Sequence, residues 1–157
     1  MTSTDTNTTV KKSVVVNAPI ERAFEVFTAK FDTWWPRTHH IGKVDRFEAL
    51  LEPRAGGRYY ERGADGSECE WGTVLEFDPP NHLALSWHLN HEFAYVADPE
   101  RASRVDITFI AQSPTTTRVD LVHSQIERHG AHWQGVRDGV SGEGGWQRIL
   151  DDFAVAA

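Results

Sequence analysis

The final sixteen residues, 142-GEGGWQRILDDFAVAA-157, determine how the rest of the chain must fold. Apolar residues recur there at the spacing of one helical face, i, i+3, i+4, i+7, i+8 and i+11: Trp146, Ile149, Leu150, Phe153, Ala154 and Ala157. Charged and amide side chains fall on the opposite face. The pattern predicts an amphipathic terminal helix whose apolar stripe must be covered by other elements, because such a face is unfavourable in water.

The chain before this helix predicts a short strand and then a first helix. Residues 11–17 are rich in valine, and Pro19 both ends that strand and suits the first turn of a helix. Apolar residues at helical spacing continue the helix to about residue 32: Ile20, Ala23, Phe24, Phe27 and Phe31. Pro36 blocks further helix, and a polar connection containing His39 and His40 follows.

From Val44 onward the period changes to that of β-strands, over about six strands joined mostly by short turns. One face of each later strand carries alternating residues: Cys69, Trp71, Thr73, Leu75 and Phe77; Leu83, Leu85 and Trp87; Val105, Ile107 and Phe109; Val119, Leu121 and His123. This parity places His88 on the outward face. Residues 125–141 predict an irregular segment with one short helical turn around Trp133.

Composition sets the class of protein. The 157 residues predict a disordered polar leader over 1–9 and a single domain over 10–157. The net charge of −7 argues against binding to nucleic acid, which needs a basic face. Cys69 is the only cysteine, and we find neither a signal peptide nor an apolar run long enough to span a membrane. We therefore expect a cytoplasmic protein without stable membrane insertion.

The order of elements and several sequence blocks resemble one known superfamily. The blocks are Ala18-Pro19 with Ala23-Phe24, 52-EPRAGGR-58, 71-WGTVLEFDPP-80, residues 83–87, 117-TRVDLVHS-124 and Gly145-Trp146. Together they resemble the START-like, or SRPBCC, superfamily, in the branch similar to the activator of the heat-shock-protein ATPase. The resemblance implies an α+β helix-grip fold. In that fold a curved antiparallel sheet of about six or seven strands wraps around a long C-terminal helix, with one or two short helices after the first strand.

The resemblance also implies a cavity between the sheet and the terminal helix. Aromatic and apolar residues are expected to line it, with one histidine as a polar group: Trp34, Trp35, Trp71, Trp87, Phe109, Leu121, His123, Trp146 and Leu150. Phe153 and Ala157 are expected to be ordinary core. Strand parity turns His123 inward, where it is either a ligand contact and proton acceptor or a strand-end residue bonded to a loop carbonyl.

No catalytic set can be assigned from the sequence. The pairs His88/His91 and His129/His132 do not lie on one predicted helical face, so we expect no metal site and no cofactor. Cys69 is expected to be a packed residue, since no base is adjacent to it in the sequence.

Three functions remain open at this stage. The first is binding of a small hydrophobic or aromatic molecule in the cavity. The second is an enzyme similar to polyketide cyclases and aromatases, which requires at least two polar side chains converging in the cavity. The third is modulation of a chaperone ATPase. The third ranks last, because eukaryotic activators carry an additional N-terminal domain for which this sequence gives no sign.

Overall fold

The computed structural model describes residues 8–35, 47–92, 94–142 and 144–157. Most of the predicted leader, the predicted helix stop at Pro36, the pair His39 and His40, and the predicted onset of strands at Val44 lie outside these ranges. The strands are β1 (Val10–Val16), β2 (Phe47–Leu51), β3 (Arg58–Gly63), β4 (Glu68–Asp78), β5 (His82–Trp87), β6 (Ser103–Ser113) and β7 (Thr116–Ser124). The helices are α1 (Ile20–Thr28), α2 (Phe31–Trp34), α3 (Trp133–Ser141) and α4 (Trp146–Ala156), with 3-10 turns at Pro99–Arg101 and Ile126–His129.

The seven strands form one antiparallel sheet in the order β1-β7-β6-β5-β4-β3-β2, curled into a half-barrel. The first two strands of the chain therefore lie at opposite edges of the sheet. The α1–α2 segment lies between them in sequence, and its helices pack against β6, β2 and α4. Helix α4 packs against β1. The predicted helix-grip fold, with six or seven strands and one or two short helices after the first, is confirmed.

The terminal helix α4 has the predicted boundaries and the predicted buried face. Trp146, Ile149, Leu150 and Phe153 are at most 3% exposed, whereas Asp151 and Val155 face solvent. None of the helices in the described ranges is long and apolar enough to cross a membrane.

The first predicted helix is divided into two. Helix α1 ends at Thr28, where the Lys30 N–H donates to the Glu25 carbonyl, and Phe31 then begins the four-residue helix α2. The i+11 spacing of Phe31 brings it to the same core without a continuous helix.

The predicted face of the long strand β4 is wrong over part of its length. Val74 is fully buried and Leu75 is 40% exposed, the reverse of the assigned faces. The pairing with β5 shifts between Val74 and Glu76, and a second shift lies in β3 between Tyr59 and Tyr60. An inserted residue changes which face its neighbours occupy, so simple alternation fails there.

Residues 125–141 are more regular than predicted. They contain the 3-10 turn Ile126–His129 and the nine-residue helix α3, in which Val136 and Val140 are buried. Gly135 and Gly139 each weaken a helix by about 1 kcal/mol relative to alanine, which hid the pattern in the sequence. Burial of the two valines on one face accounts for the helix.

Candidate functional site

All nine predicted cavity residues are buried, with none more than 6% exposed. Eight of them belong to one hydrophobic core, and ring contacts join six of the nine into two groups. Trp34, Trp35 and Trp71 lie together at the β3–β4 end of the sheet, and Trp87, His123 and Trp146 lie together near β6 and β7. Phe109 packs edge-on against Phe24 and Phe27. We call the first group the tryptophan cluster and the second the histidine cluster.

The tryptophan cluster is built on the contact between Trp35 and Trp71. Their ring centroids are 4.9 Å apart with planes 31° apart, and the Tyr59 ring stands edge-on to Trp71 at 6.1 Å. Offset and edge-on aromatic pairs contribute about 0.5 to 1.5 kcal/mol each beyond burial. Trp71 is held by strand β4, whereas Trp35 follows the four-residue helix α2. The Trp35 backbone N–H donates to the Phe31 carbonyl at 3.2 Å.

A buried carboxyl group, Glu61, adjoins the tryptophan cluster. Glu61 is 2% exposed and accepts a hydrogen bond from the Trp71 indole N–H at 3.2 Å. Its strand neighbours are Ala49 and Cys69. Burial, followed by the charge of Glu61, raises the pKa of Cys69, which argues against a nucleophile, and the residue is only partly buried. Our sequence analysis missed Glu61, although its alternation with Tyr59 was the available signal.

The histidine cluster is held by the indole of Trp146. The Trp146 Nε1–H donates to His123 Nδ1 at 2.9 Å, and the Trp87 ring lies edge-on to both, at 5.3 Å from Trp146 and 5.5 Å from His123. His123 is therefore turned inward, as strand parity predicted, and is fully buried. It bonds side chains on both ring nitrogens instead of a loop carbonyl.

A directional chain of hydrogen bonds leads outward from Trp146. An indole N–H only donates, so His123 Nδ1 is the acceptor and His123 Nε2 carries the proton. That Nε2–H donates to Ser103 Oγ at 2.6 Å, and the Ser103 hydroxyl donates to His129 Nε2 at 2.8 Å. Ser103 lies on β6 and His129 in a 3-10 turn. Their spacing from His123 in the sequence does not indicate that the three side chains are hydrogen-bonded.

Both imidazoles in this chain are neutral at ordinary pH. Burial, followed by the neighbouring His129, lowers the pKa of His123 from 6.5 to about 3. Burial, followed by His88, lowers the pKa of His129 to about 4. Protonation of His129 would place a second N–H against the Ser103 hydroxyl and leave the hydroxyl proton without its acceptor. The low pKa values and the hydrogen-bond directions therefore agree.

The hydrogen-bond chain from Trp146 to His129 predicts that the folded protein loses stability in acid. The pKa values of His123 and His129 are lower in the folded state than in the unfolded state, so the unfolded chain binds more protons below about pH 6.5. We expect the free energy of unfolding to fall by about 2 kcal/mol from the fully buried His123, with a further and smaller contribution from the partly exposed His129, between pH 6.5 and 4.5, measured by urea denaturation. His129→Gln should flatten this slope, whereas His91→Gln should not. Equal slopes in the wild type and His129→Gln would contradict the prediction.

The side chain of His88 points away from the terminal helix and is nevertheless buried. It lies on the Ser86 side of β5, as parity predicted, but is only 4% exposed. Its Nδ1–H donates to the Val96 carbonyl at 2.8 Å, and its Nε2 accepts from Ser86 Oγ at 2.9 Å. His91 stacks on His132 with ring centroids 4.4 Å apart, so the histidine-rich loop packs against this covering segment.

One cluster of metal-ligand types lies on the outer face of the sheet. Ligand atoms of Glu76, His82 and Asp106 fall within 4.8 Å of one another. Arg104 donates to Asp106 and to Glu76 at 2.9 Å, and His82 Nε2 lies 2.9 Å from Asp106 Oδ1. These ion pairs account for the cluster, and we assign it no metal.

On the terminal helix, we predicted that Trp146 and Leu150 line a cavity and that Phe153 is ordinary core. The exposed fractions of these side chains do not distinguish the two sets. Leu150 and Phe153 are both fully buried, and Trp146 is 3% exposed. A smaller stability loss at Leu150 than at Phe153 is therefore not expected on burial alone. The lining of a ligand site by Trp146 and Leu150 stays a prediction.

Comparison with known proteins now identifies the class. Residues 17–157 match the family model described as "Activator of Hsp90 ATPase homolog 1-like protein", and the chain belongs to this family. The predicted START-like branch is thereby confirmed. A search of curated proteins gave no match.

Several solved structures are similar over nearly the whole chain. The anthrahydroquino-gamma-pyrone synthase Txn09 is 39% identical, covering 95% of this chain and 96% of its own, with a TM-score of 0.67. The self-sacrificing resistance protein CalC from Micromonospora echinospora is 30% identical over 94% and 92%, with a TM-score of 0.66. An HSP90 activator from Plasmodium falciparum is 17% identical over 96% and 96%, with a TM-score of 0.60, and this likeness shows the fold alone.

Proposed function

We propose that this protein binds a planar, polycyclic aromatic small molecule between the sheet and its covering helices, and that it does so in the cytoplasm. The observation that carries the proposal is the tryptophan cluster, in which Trp35 lies on Trp71 and the Trp71 indole N–H donates to the buried carboxyl group of Glu61. Such a lining suits a flat ligand with few polar groups. The 39% identity to a synthase named for an anthrahydroquinone-derived pyrone supports this ligand class.

Entry of the ligand requires Trp35 to leave Trp71. The two rings are in contact, so a flat molecule is accepted by replacing Trp35 on the face of Trp71. Helix α2 has only four residues, which makes this the least costly opening among the described walls of the cluster. The displaced Trp35 then covers the ligand from the other side.

A second candidate function is ring closure on the bound molecule, and the identity to Txn09 favours it. A phenol O–H adds across a ketone carbonyl to give a hemiketal, and loss of the hydroxyl with an adjacent C–H proton releases water. Glu61 is the residue that we assign to carry these protons, as a general base and then a general acid. His123 is unsuited to this role, because both of its ring nitrogens are hydrogen-bonded.

Glu61 and His123 lie on strands that are not neighbours. They lie on β3 and β7, which are separated by four strand intervals, or roughly 19 Å along the sheet at about 4.8 Å per interval. The enzyme hypothesis therefore rests on Glu61 and the polar groups of the substrate, not on two converging residues.

Fluorescence titration with 1,8-dihydroxyanthraquinone tests binding. We expect saturable quenching of tryptophan emission, about tenfold weaker binding in Trp35→Phe, and unchanged binding in the matched control Trp133→Phe, whose ring stacks with Arg137. Native mass spectrometry of gently purified protein should show a bound small molecule. Absence of both saturable quenching and a bound molecule would overturn the binding proposal.

The same preparation tests ring closure. A hydroxyanthraquinone with a 1,3-diketone side chain should lose one water when incubated with the protein, as measured by mass spectrometry. Glu61→Gln should slow this step by about 100-fold or more while the dihydroxyanthraquinone still binds. Conversion at an unchanged rate in Glu61→Gln would remove the role of Glu61. If the wild type gives no conversion, the ring-closure hypothesis is wrong and only the binding proposal stands.

A chaperone-directed role ranks behind both. The family description and the Plasmodium protein carry that activity in their names, and at 17% identity the latter supports the fold only. A pull-down that recovers a chaperone, together with a changed chaperone ATPase rate, would raise this role above the others.

A further inference from the structure

The side chain of Asp32 joins helix α2 to the edge strand β2. Asp32 Oδ1 accepts a hydrogen bond from the Ala49 backbone N–H at 2.8 Å, and this contact is partly buried. Among the described strands, β2 is the outermost on its side of the sheet, so its outward N–H groups face no further strand. Asp32 therefore supplies the acceptor that another strand would otherwise offer to Ala49.

The strand position that Asp32 bonds is the one opposite Glu61. Ala49 pairs with Glu61 across β2 and β3, and Glu61 accepts from the Trp71 indole N–H. Trp71 in turn lies against Trp35, which directly follows α2. These contacts form a closed ring, which runs from α2 through the two indoles, the buried carboxyl group and β2 back to α2.

Two other polar side chains of α2 bond elsewhere. The Trp34 indole N–H donates to the Val26 carbonyl of α1 at 2.9 Å. The exposed Thr33 hydroxyl donates to the Lys30 carbonyl at 2.7 Å, which keeps that bond within the same segment. Of these three side-chain bonds, the one that reaches the edge strand is the bond of Asp32.

We propose that Asp32 is a positioning residue for the interior ligand site, an inference that rests on the function proposed above. Its bond to β2 holds α2 in place while Trp35 moves away from Trp71, so that Trp35 returns over the bound ring system. A hydrogen bond accepted by a carboxylate is about twice as strong as one between neutral groups, which suits it to this attachment. Asp32 therefore slows the release of a flat ligand without contacting it.

Hydrogen exchange of the Ala49 amide in the ligand-free, ¹⁵N-labelled full chain measures the bond itself. Asp32→Ala should raise the exchange rate of this amide about tenfold, since the N–H loses its acceptor. Asp32→Asn should stay within about threefold of the wild type, because its amide oxygen still accepts. An equal rate in the wild type and Asp32→Ala would overturn the proposal. So would an equal rise at the buried Val119 amide on β7, which is paired on both sides and reports global opening.

Stopped-flow fluorescence measures the release of 1,8-dihydroxyanthraquinone from the same variants. We expect Asp32→Ala to release it about tenfold faster than the wild type, and Asp32→Asn to remain within about threefold. Asp32→Ala should keep the fold, since the side chain is only partly buried. Thr33→Ala is the matched control, because Thr33 lies on the same helix and bonds within its own segment. Its release rate should equal that of the wild type.

The outcomes separate failure of this role of Asp32 from failure of the proposed function. Saturable binding with an unchanged release rate in Asp32→Ala would overturn the role of Asp32 and keep the ligand site. Release that is as fast in Asp32→Asn as in Asp32→Ala would also overturn it, because the hydrogen bond would then not be the cause. If the wild type binds no dihydroxyanthraquinone, both the ligand site and the role of Asp32 are wrong.

Discussion

Replacing Phe153 by alanine is expected to lower the free energy of unfolding by about 3 to 5 kcal/mol. Phe153 is fully buried on α4 and packs edge-on against Phe27 at 5.1 Å and Trp34 at 5.3 Å. Removing its ring leaves a hole between α1, α2 and α4, which rigid strands and short helices fill only in part. The expected loss of stability has three sources: the lost burial of the ring, the cavity that it leaves and the two lost aromatic contacts.

Urea denaturation of Phe153→Ala beside Val155→Ala measures this effect. Val155 lies two residues away on the same helix and is 88% exposed, so its truncation should change stability by no more than about 0.5 kcal/mol. A midpoint for Phe153→Ala close to that of Val155→Ala would show that α4 contributes little to the core.

Replacing Gly72 by alanine is expected to cost about 3 kcal/mol or more and to leave much of the protein unfolded. A Cβ at Gly72 would overlap the backbone carbonyl oxygen of Ser86 and press on the Tyr59 ring at 2.7 Å. The Tyr59 hydroxyl donates to that same carbonyl oxygen. The methyl group therefore collides with backbone that cannot move without separating β4 from β5.

Gly144→Ala is the control for Gly72→Ala, since no described atom lies within 4 Å of a Cβ built there. Thermal unfolding of the two variants should separate them clearly, with Gly144→Ala close to the wild type. A Gly72→Ala protein that unfolds at the wild-type temperature would mean that β4 and β5 separate at little cost.

The parts of the fold that follow one repeating pattern could be predicted from the sequence. The α4 stripe from Trp146 to Phe153 has a single period and a single partner surface, so both its boundaries and its buried face were correct. Strand β4 fails at Val74 because one inserted residue reverses the faces, and no residue type marks that insertion. Helix α3 was predicted only as one short turn around Trp133, because Gly135 and Gly139 weaken its local signal.

The candidate site also contains residues that could be predicted from the sequence and residues that could not. The buried tryptophans could be selected because large aromatic side chains at inward strand positions are seldom exposed. Ser103 and His129 could not, since their contact depends on a 3-10 turn folding back over the start of β6. The sequence did not indicate the positive φ of Gln125, because this feature belongs to the backbone and not to the residue type.

The placement of β1 at one edge of the sheet, away from β2, bears on the order in which the protein is assembled. Val10 pairs with His123, so β1 is synthesised before all six other strands of the sheet and has to wait for β7 before it finds its neighbour. Contacts between such distant parts of a chain close slowly. In the meantime β3, β4, β5 and β6 can pair as successive hairpins, and the valine-rich first strand completes the edge near the end of folding.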